Sequence, residues 1–190
     1  DEQQRDMMTS VFKSQTPAME KSDFLVMFEP VGATAQPIVI TQNEFMRRMK
    51  DMAAIQSGMA FYGELPDSYN LIVNTDHPLS QKVIADTESA CKSELTPILD
   101  ELKTVNEEIE RLQEAKKDKK DDEIPVADKE ALKHAEEKAK ELRAKESDIL
   151  KTYADRTPLV RQLVDLALLS NNMLKGEALS KFIKRSVEML

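Results

Sequence analysis

The sequence predicts an α+β fold: a small three-stranded sheet with packed helices, a long helical-hairpin (coiled-coil) insertion, and a C-terminal helix pair forming a dimeric four-helix bundle. Three observations lead there. Two short runs rich in β-favouring residues, DFLVMFEP (23–30) and PIVI (37–40), are followed by a third, SYNLIVN (68–74). Glycine is scarce, four in 190 residues and none between Gly63 and Gly176, so that long stretch has few places for positive φ and reads as helix joined by few turns. From Leu95 onward, apolar residues recur at alternating spacings of three and four, the seam of paired helices.

The elements follow in order. Met7, Met8, Val11 and Phe12 share one helical face, and a short amphipathic helix is expected to end before Thr16-Pro17. Because Phe24 to Phe28 are all apolar, the first strand is expected to be covered on both faces and to neighbour or form a hairpin with the second. Thr41 with Glu44 matches a capping box, and Ile40 with Phe45 a hydrophobic staple, so the next helix should begin at Thr41. At about 100° per residue, Phe45, Met46, Met49, Met52, Ile55 and Met59 share one half of its wheel, and Gly58 and Gly63 end it. After a turn at 64–67 comes the third strand. His77 then stands where a capping or local hydrogen-bond role is expected, and Pro78 opens a helix through Val83, Ile84, Ala90 and Cys91. Residues 1–95 thus form an α+β unit.

Thr96-Pro97 and Thr157-Pro158 each look like a helix start, and the segment between them reads as an insertion, residues 96–157. Its first arm carries Leu95, Ile98, Leu102, Val105, Ile109 and Leu112; its second carries Leu132, Ala135, Ala139, Leu142, Glu146, Ile149 and Tyr153. The polar tip KKDKKDDEIP (116–125) turns the chain back, giving an antiparallel hairpin whose arms reach roughly 30 to 40 Å at 1.5 Å per residue. Pro78, Pro97, Pro125 and Pro158 all suit helix first turns. The remaining 158–190 give an apolar helix over 159–174, a stop at Lys175-Gly176, and a last helix with a stripe of Leu179, Phe182, Ile183, Val187 and Leu190. Such a pair is compatible with an ordinary intramolecular core and with a two-fold bundle between two chains, which would bury on the order of 1,200 to 2,000 Å².

Composition narrows the function. Asp plus Glu outnumber Lys plus Arg by 35 to 27, a net charge of −8, which argues against a general grip on nucleic acid phosphate. No apolar run is long enough to span a bilayer, so a soluble chain without a membrane partner is expected. The chain opens on Asp1, and a piece of a longer protein is expected. There is no phosphate-cradling glycine loop, GxSxG or HExxH, and His77 and His134 stand apart, so no catalytic residue, no metal site and no cofactor are expected in this chain. Cys91 is the single cysteine, and it should pack as a small buried hydrophobe. The methionine-rich helix fits either a buried core or an open, adaptable face; Arg47, Arg48 and Lys50 beside it would suit mixed or acidic segments. A module that binds a partner along the hairpin is the alternative reading.

The run EFMRRMKDMAAIQSGMAFYGELPDSYNLIVNTDHPL resembles the amphipathic helix, strand and D-H-P-L helix start of the C-terminal domain of the ninety-kilodalton heat-shock chaperones in their bacterial form. LVDLALLSNNMLKGEALSKFIKRSVEML is similar to that domain's last two helices. The resemblance covers about 1–95 and 158–190, and the 96–157 hairpin stands outside the usual pattern. It implies a cytoplasmic homodimer that assists protein folding. Leu163, Leu166, Ala167, Leu169, Leu179, Phe182, Ile183 and Val187 become dimer candidates, and Phe45, Met46, Met49, Met52, Ile55 and Met59 become contacts for non-native client proteins. ATP and Mg would belong to other domains of the parent protein. The final Ser186-Val187-Glu188-Met189-Leu190 lacks the acidic tail by which eukaryotic members recruit tetratricopeptide partners, so that docking is not expected.

Overall fold

The computed structural model describes residues 2–17, 22–42, 44–55, 66–117 and 125–189. Along them run α1 (Glu2–Ser14), β1 (Ser22–Glu29), β2 (Ile38–Gln42), α2 (Glu44–Ile55), β3 (Asp67–Asn74), α3 (Pro78–Glu114), α4 (Val126–Arg156), α5 (Pro158–Ser170) and α6 (Gly176–Glu188). The chain divides into two compact units, Asp1–Thr87 with Tyr153–Leu190, and Glu88–Thr152.

In the first unit the sheet order is β1-β3-β2, with β1 parallel and β2 antiparallel to β3. The expected pairing of β1 with β2 is therefore replaced by an inserted β3. Asn74, fully buried at the end of β3, is bonded to the connection between the two outer strands. Its Nδ2 donates to the carbonyls of Gly32 (2.8 Å) and Gln36 (3.2 Å), while its Oδ1 accepts from the backbone N–H groups of Val31 (3.0 Å) and Asp76 (3.1 Å). These bonds hold the β1–β2 connection against the end of the central strand.

Alternation along the strands separates two faces. Phe24 and Val26, Leu71 and Val73, and Ile38 and Ile40 are buried, and α1 packs against β1 while α5 packs against β2. Met8, Val11 and Phe12 of α1 complete this core, with Phe12 edge-on to Phe28 at 6.4 Å. The expectation that β1 is covered on both faces fails: Leu25 is 57% exposed. A five-residue apolar run does not distinguish a strand buried on both sides from one backed by helices on one side only.

Two helix boundaries also move. Thr41 and Gln42 are held extended by pairing with Asn70 and Tyr69, so α2 begins at Glu44 and the expected capping box does not form. α3 runs unbroken through Thr96-Pro97. An interior proline costs about 3 kcal/mol or more, but Cys91 and Leu95 before it and Val105 after it are all buried and hold both halves. Thr96 Oγ1 donates instead to the Lys92 carbonyl, 2.7 Å.

α5 ends at Ser170, four residues short of expectation. Asn172 takes a left-handed φ of 56°, and the Met173 N–H returns to the Leu168 carbonyl at 2.8 Å. Asparagine tolerates this conformation better than most residues, and Gly176 opens α6 rather than closing α5. Pro158 does occupy the first turn of α5, but the Thr157 hydroxyl donates back to Tyr153 rather than capping.

In the second unit Val105 of α3 packs with Ala135, Ala139 and Leu142 of α4, and Ile98, Leu102 and Ile109 lie against them. Lys138 reaches Glu101 at 2.6 Å and holds the Glu101 carboxyl below its usual range, mainly through that hydrogen bond. Further along α4, Leu150 is buried and Ile149 half-buried; Tyr153, half-buried, and Ala154, buried, already belong to the first unit. The tip residues 118–124 lie outside those described.

Candidate functional site

α2 has no buried residue. Phe45 is 62% and Ile55 85% exposed, Met52 is exposed, and Met46 and Met49 are half-buried. Five of the six methionine-face candidates thus lie on one largely open helix; Met59, with Gly58 and Gly63, lies outside the described residues.

The cations beside this face are already engaged. Arg47 makes a two-pronged contact with Glu44 (2.9 and 3.0 Å) and a second with Asp51 (3.0 Å), and Arg48 reaches Glu44 at 2.8 Å. The hydrogen bonds from Arg47 and then Arg48 hold the Glu44 carboxyl down at about 2. Lys50 crosses to Asp67 at the start of β3, 2.7 Å. The surface therefore offers apolar area rimmed by neutralised pairs, and the three cations are not free charges awaiting an acidic segment.

α6 also lacks a buried residue, whereas α5 has six. Of the residues expected at a dimer contact, Leu163 and Ala167 are enclosed in the chain's own core, while Leu169, Leu179 and Phe182 are half-buried. Leu166, Ile183 and Val187 are exposed, the last two at 54% and 67%. Met189, which the stripe did not include, is exposed beside them.

Between α5 and α6 lies a polar cluster that the apolar periodicity conceals. Asp165 is 1% exposed; its Oδ2 accepts from Arg161 Nε at 3.2 Å and from Arg185, and its Oδ1 has no hydrogen-bond partner among the described residues. Gln162 donates to Ser186 Oγ at 2.5 Å and accepts from Arg185 Nε at 3.3 Å. Arg161 also donates to the Gln15 carbonyl at 3.1 Å, and the buried Gln15 amide donates to Asp155 at 2.9 Å. Asp165 is the only charge within LVDLALL, and that placement was the available signal.

His77 fills the expected local role, its Nδ1 accepting from the Leu79 N–H at 3.1 Å. Cys91 is buried as expected, and burial raises its thiol. No group of three or more His, Cys, Asp or Glu residues is placed to hold a metal ion among the described residues. No described helix is long and apolar enough to cross a membrane.

The chain is 47% identical over 188 residues to the chaperone protein HtpG of Bacteroides thetaiotaomicron, which covers 99% of this chain. The chain is related to HtpG. HtpG of Bacteroides fragilis is 47% identical over 186 residues, and HtpG of Porphyromonas gingivalis 44% over 187. The chain spans 27 to 28% of the length of these HtpG relatives. The matches run through residues 96–157, so these HtpG proteins share the segment that stood outside the resemblance. No family model and no solved structure matches the chain.

Proposed function

We propose that this chain is the C-terminal dimerisation and client-contact domain of an ATP-dependent chaperone of the HtpG kind. The observation that carries the proposal is the relationship to HtpG in a chain whose α2 and α6 both leave apolar stripes uncovered. α6, with Leu166 of α5, meets the same surface of a second copy in a two-fold four-helix bundle. α2 lends Phe45, Met52 and Ile55 to apolar segments of non-native proteins. A constitutive tether raises the effective concentration of the two copies' remaining domains for each other, and ATP and Mg chemistry is assigned to those domains. The chain works in the cytoplasm.

Sedimentation equilibrium of the chain, with and without residues 171–190, tests the tether. A dimer that becomes monomeric on truncation is expected; a monomer in both cases overturns the reading. For the client surface, Phe45→Ser with Met52→Ser should leave the circular dichroism spectrum unchanged while reducing suppression of aggregation of a chemically unfolded protein. Undiminished suppression would remove α2 from that role.

A further inference from the structure

α6 is 13 residues long with nothing buried. A helix of that length is marginal alone in water and needs tertiary contacts to persist. Its half-buried Leu179 and Phe182 supply some apolar contact, but a stripe of this kind tolerates sliding and rotation. Among the described residues, its side-chain hydrogen bonds to α5 fall in the second half of the helix: Arg185 to Asp165 and Gln162, and Ser186 to Gln162. Gln162 and Asp165 stand three residues apart on one face of α5, so they fix a register that a displacement of α6 by one turn would break.

Burying a carboxylate is expensive, and a buried ion pair contributes more reliably to a unique arrangement than to stability. Here a residue 1% exposed spends one oxygen on two guanidiniums, and Arg161 ties the same carboxylate to the end of α1 through Gln15. With Arg185 and Ser186 turned inward, Ile183 and Val187 are left outward.

We infer that Asp165, Arg185, Gln162 and Ser186 form a positioning clasp that presets α6 for docking onto a second copy of this chain. The inference rests on the dimer reading above and adds that residues outside the apolar contact determine its strength. α6 held at one angle pays its ordering cost before association, so the clasp strengthens the dimer without touching the partner.

The test uses the 190-residue chain with Arg185→Met, Arg185→Lys and Gln162→Ala, measured by sedimentation equilibrium and by hydrogen exchange at concentrations where the chain is monomeric. Arg185→Met should raise the dimer dissociation constant by about tenfold or more, and Gln162→Ala by about threefold, with Arg185→Lys recovering part of the loss. In the monomer, α6 amides should exchange faster in both Arg185→Met and Gln162→Ala, while α5 amides hold their protection. Folded variants whose constants stay within about twofold of the parent chain overturn the clasp. So does weaker dimerisation with unchanged α6 exchange, which would make these residues direct contacts. If Arg185→Met does not fold, Gln162→Ala, which keeps the Asp165 pair, decides. A parent chain that is monomeric at every concentration overturns the dimer reading and the clasp with it, whereas a dimeric parent with indifferent variants removes the clasp alone.

Discussion

α2 and α6 are 12 and 13 residues long, neither has a buried residue, and each carries an apolar stripe; they differ in how charge holds them. On α2 the ion pairs among the described residues run mostly along the helix's own surface, from Glu44 to Arg47 and Arg48 and from Arg47 to Asp51, while Lys50 reaches out to a partly exposed Asp67. On α6 the main anchor ends on a carboxylate sealed inside the chain. Exposed pairs contribute little and tolerate motion, while a buried charge demands its partners. Two helices with similar stripes are thus anchored differently: α2 mostly by exposed pairs on its own surface, and α6 by a buried carboxylate of α5, a difference that suits the client and dimer roles proposed for them.

The comparison can be broken first at the buried charge. Arg161→Met with Arg185→Met strands Asp165, and urea unfolding should show a loss of roughly 3 to 5 kcal/mol. A loss under about 1 kcal/mol would mean that the carboxylate is not held as described. Next, Leu163→Ala should cost about 2 to 5 kcal/mol in the same assay because Leu163 is core. Val187→Asp, on the exposed stripe, should weaken dimerisation while leaving the unfolding midpoint near that of the parent chain when both are measured at concentrations where the chain is monomeric. If both substitutions destabilise the monomer alike, the division between core and contact face fails.

On the α2 side, Lys50→Met removes the ion pair to Asp67 and should cost no more than about 1 kcal/mol, since both partners keep some exposure. The smallest effect concerns acid. The Glu44 carboxyl has a folded value of about 2 against an ordinary 4.5, so its pairing is fully present above pH 4.5 and fades as pH falls through about 2. A carboxyl-carbon NMR titration should place its midpoint near 2; a midpoint near 4.5 would show that the Arg47 and Arg48 contacts do not persist in solution.

Periodicity made both stripes and most elements readable, since apolar spacing of 3.6 or 2 dictates which side chains can share a face. It could not say which leucines of α5 turn inward, because that helix is apolar nearly all round and every rotation looks alike. Strand order escaped for a different reason: it rests on pairing of β1 with a strand about forty-five positions away, which local patterns along either strand do not reveal. Thr41 and Pro97 misled because local rules were overruled, one by ladder pairing with Asn70 and the other by burial on both sides. The clasp went unread since Asp165 and Arg185 are 20 residues apart and only the turn at Asn172 brings them together.

Asn74 has one more consequence, which concerns chemical ageing. Its amide is fully buried and uses two donors and two acceptor positions at once. Hydrolysis to a carboxylate would keep the two accepting contacts but turn both donors into negative charge facing the Gly32 and Gln36 carbonyls, loosening the β1–β2 connection from the sheet. Burial and four hydrogen bonds hinder that reaction while the fold is intact, so it is favoured in molecules that have opened, and once it has occurred it opposes their return to this arrangement.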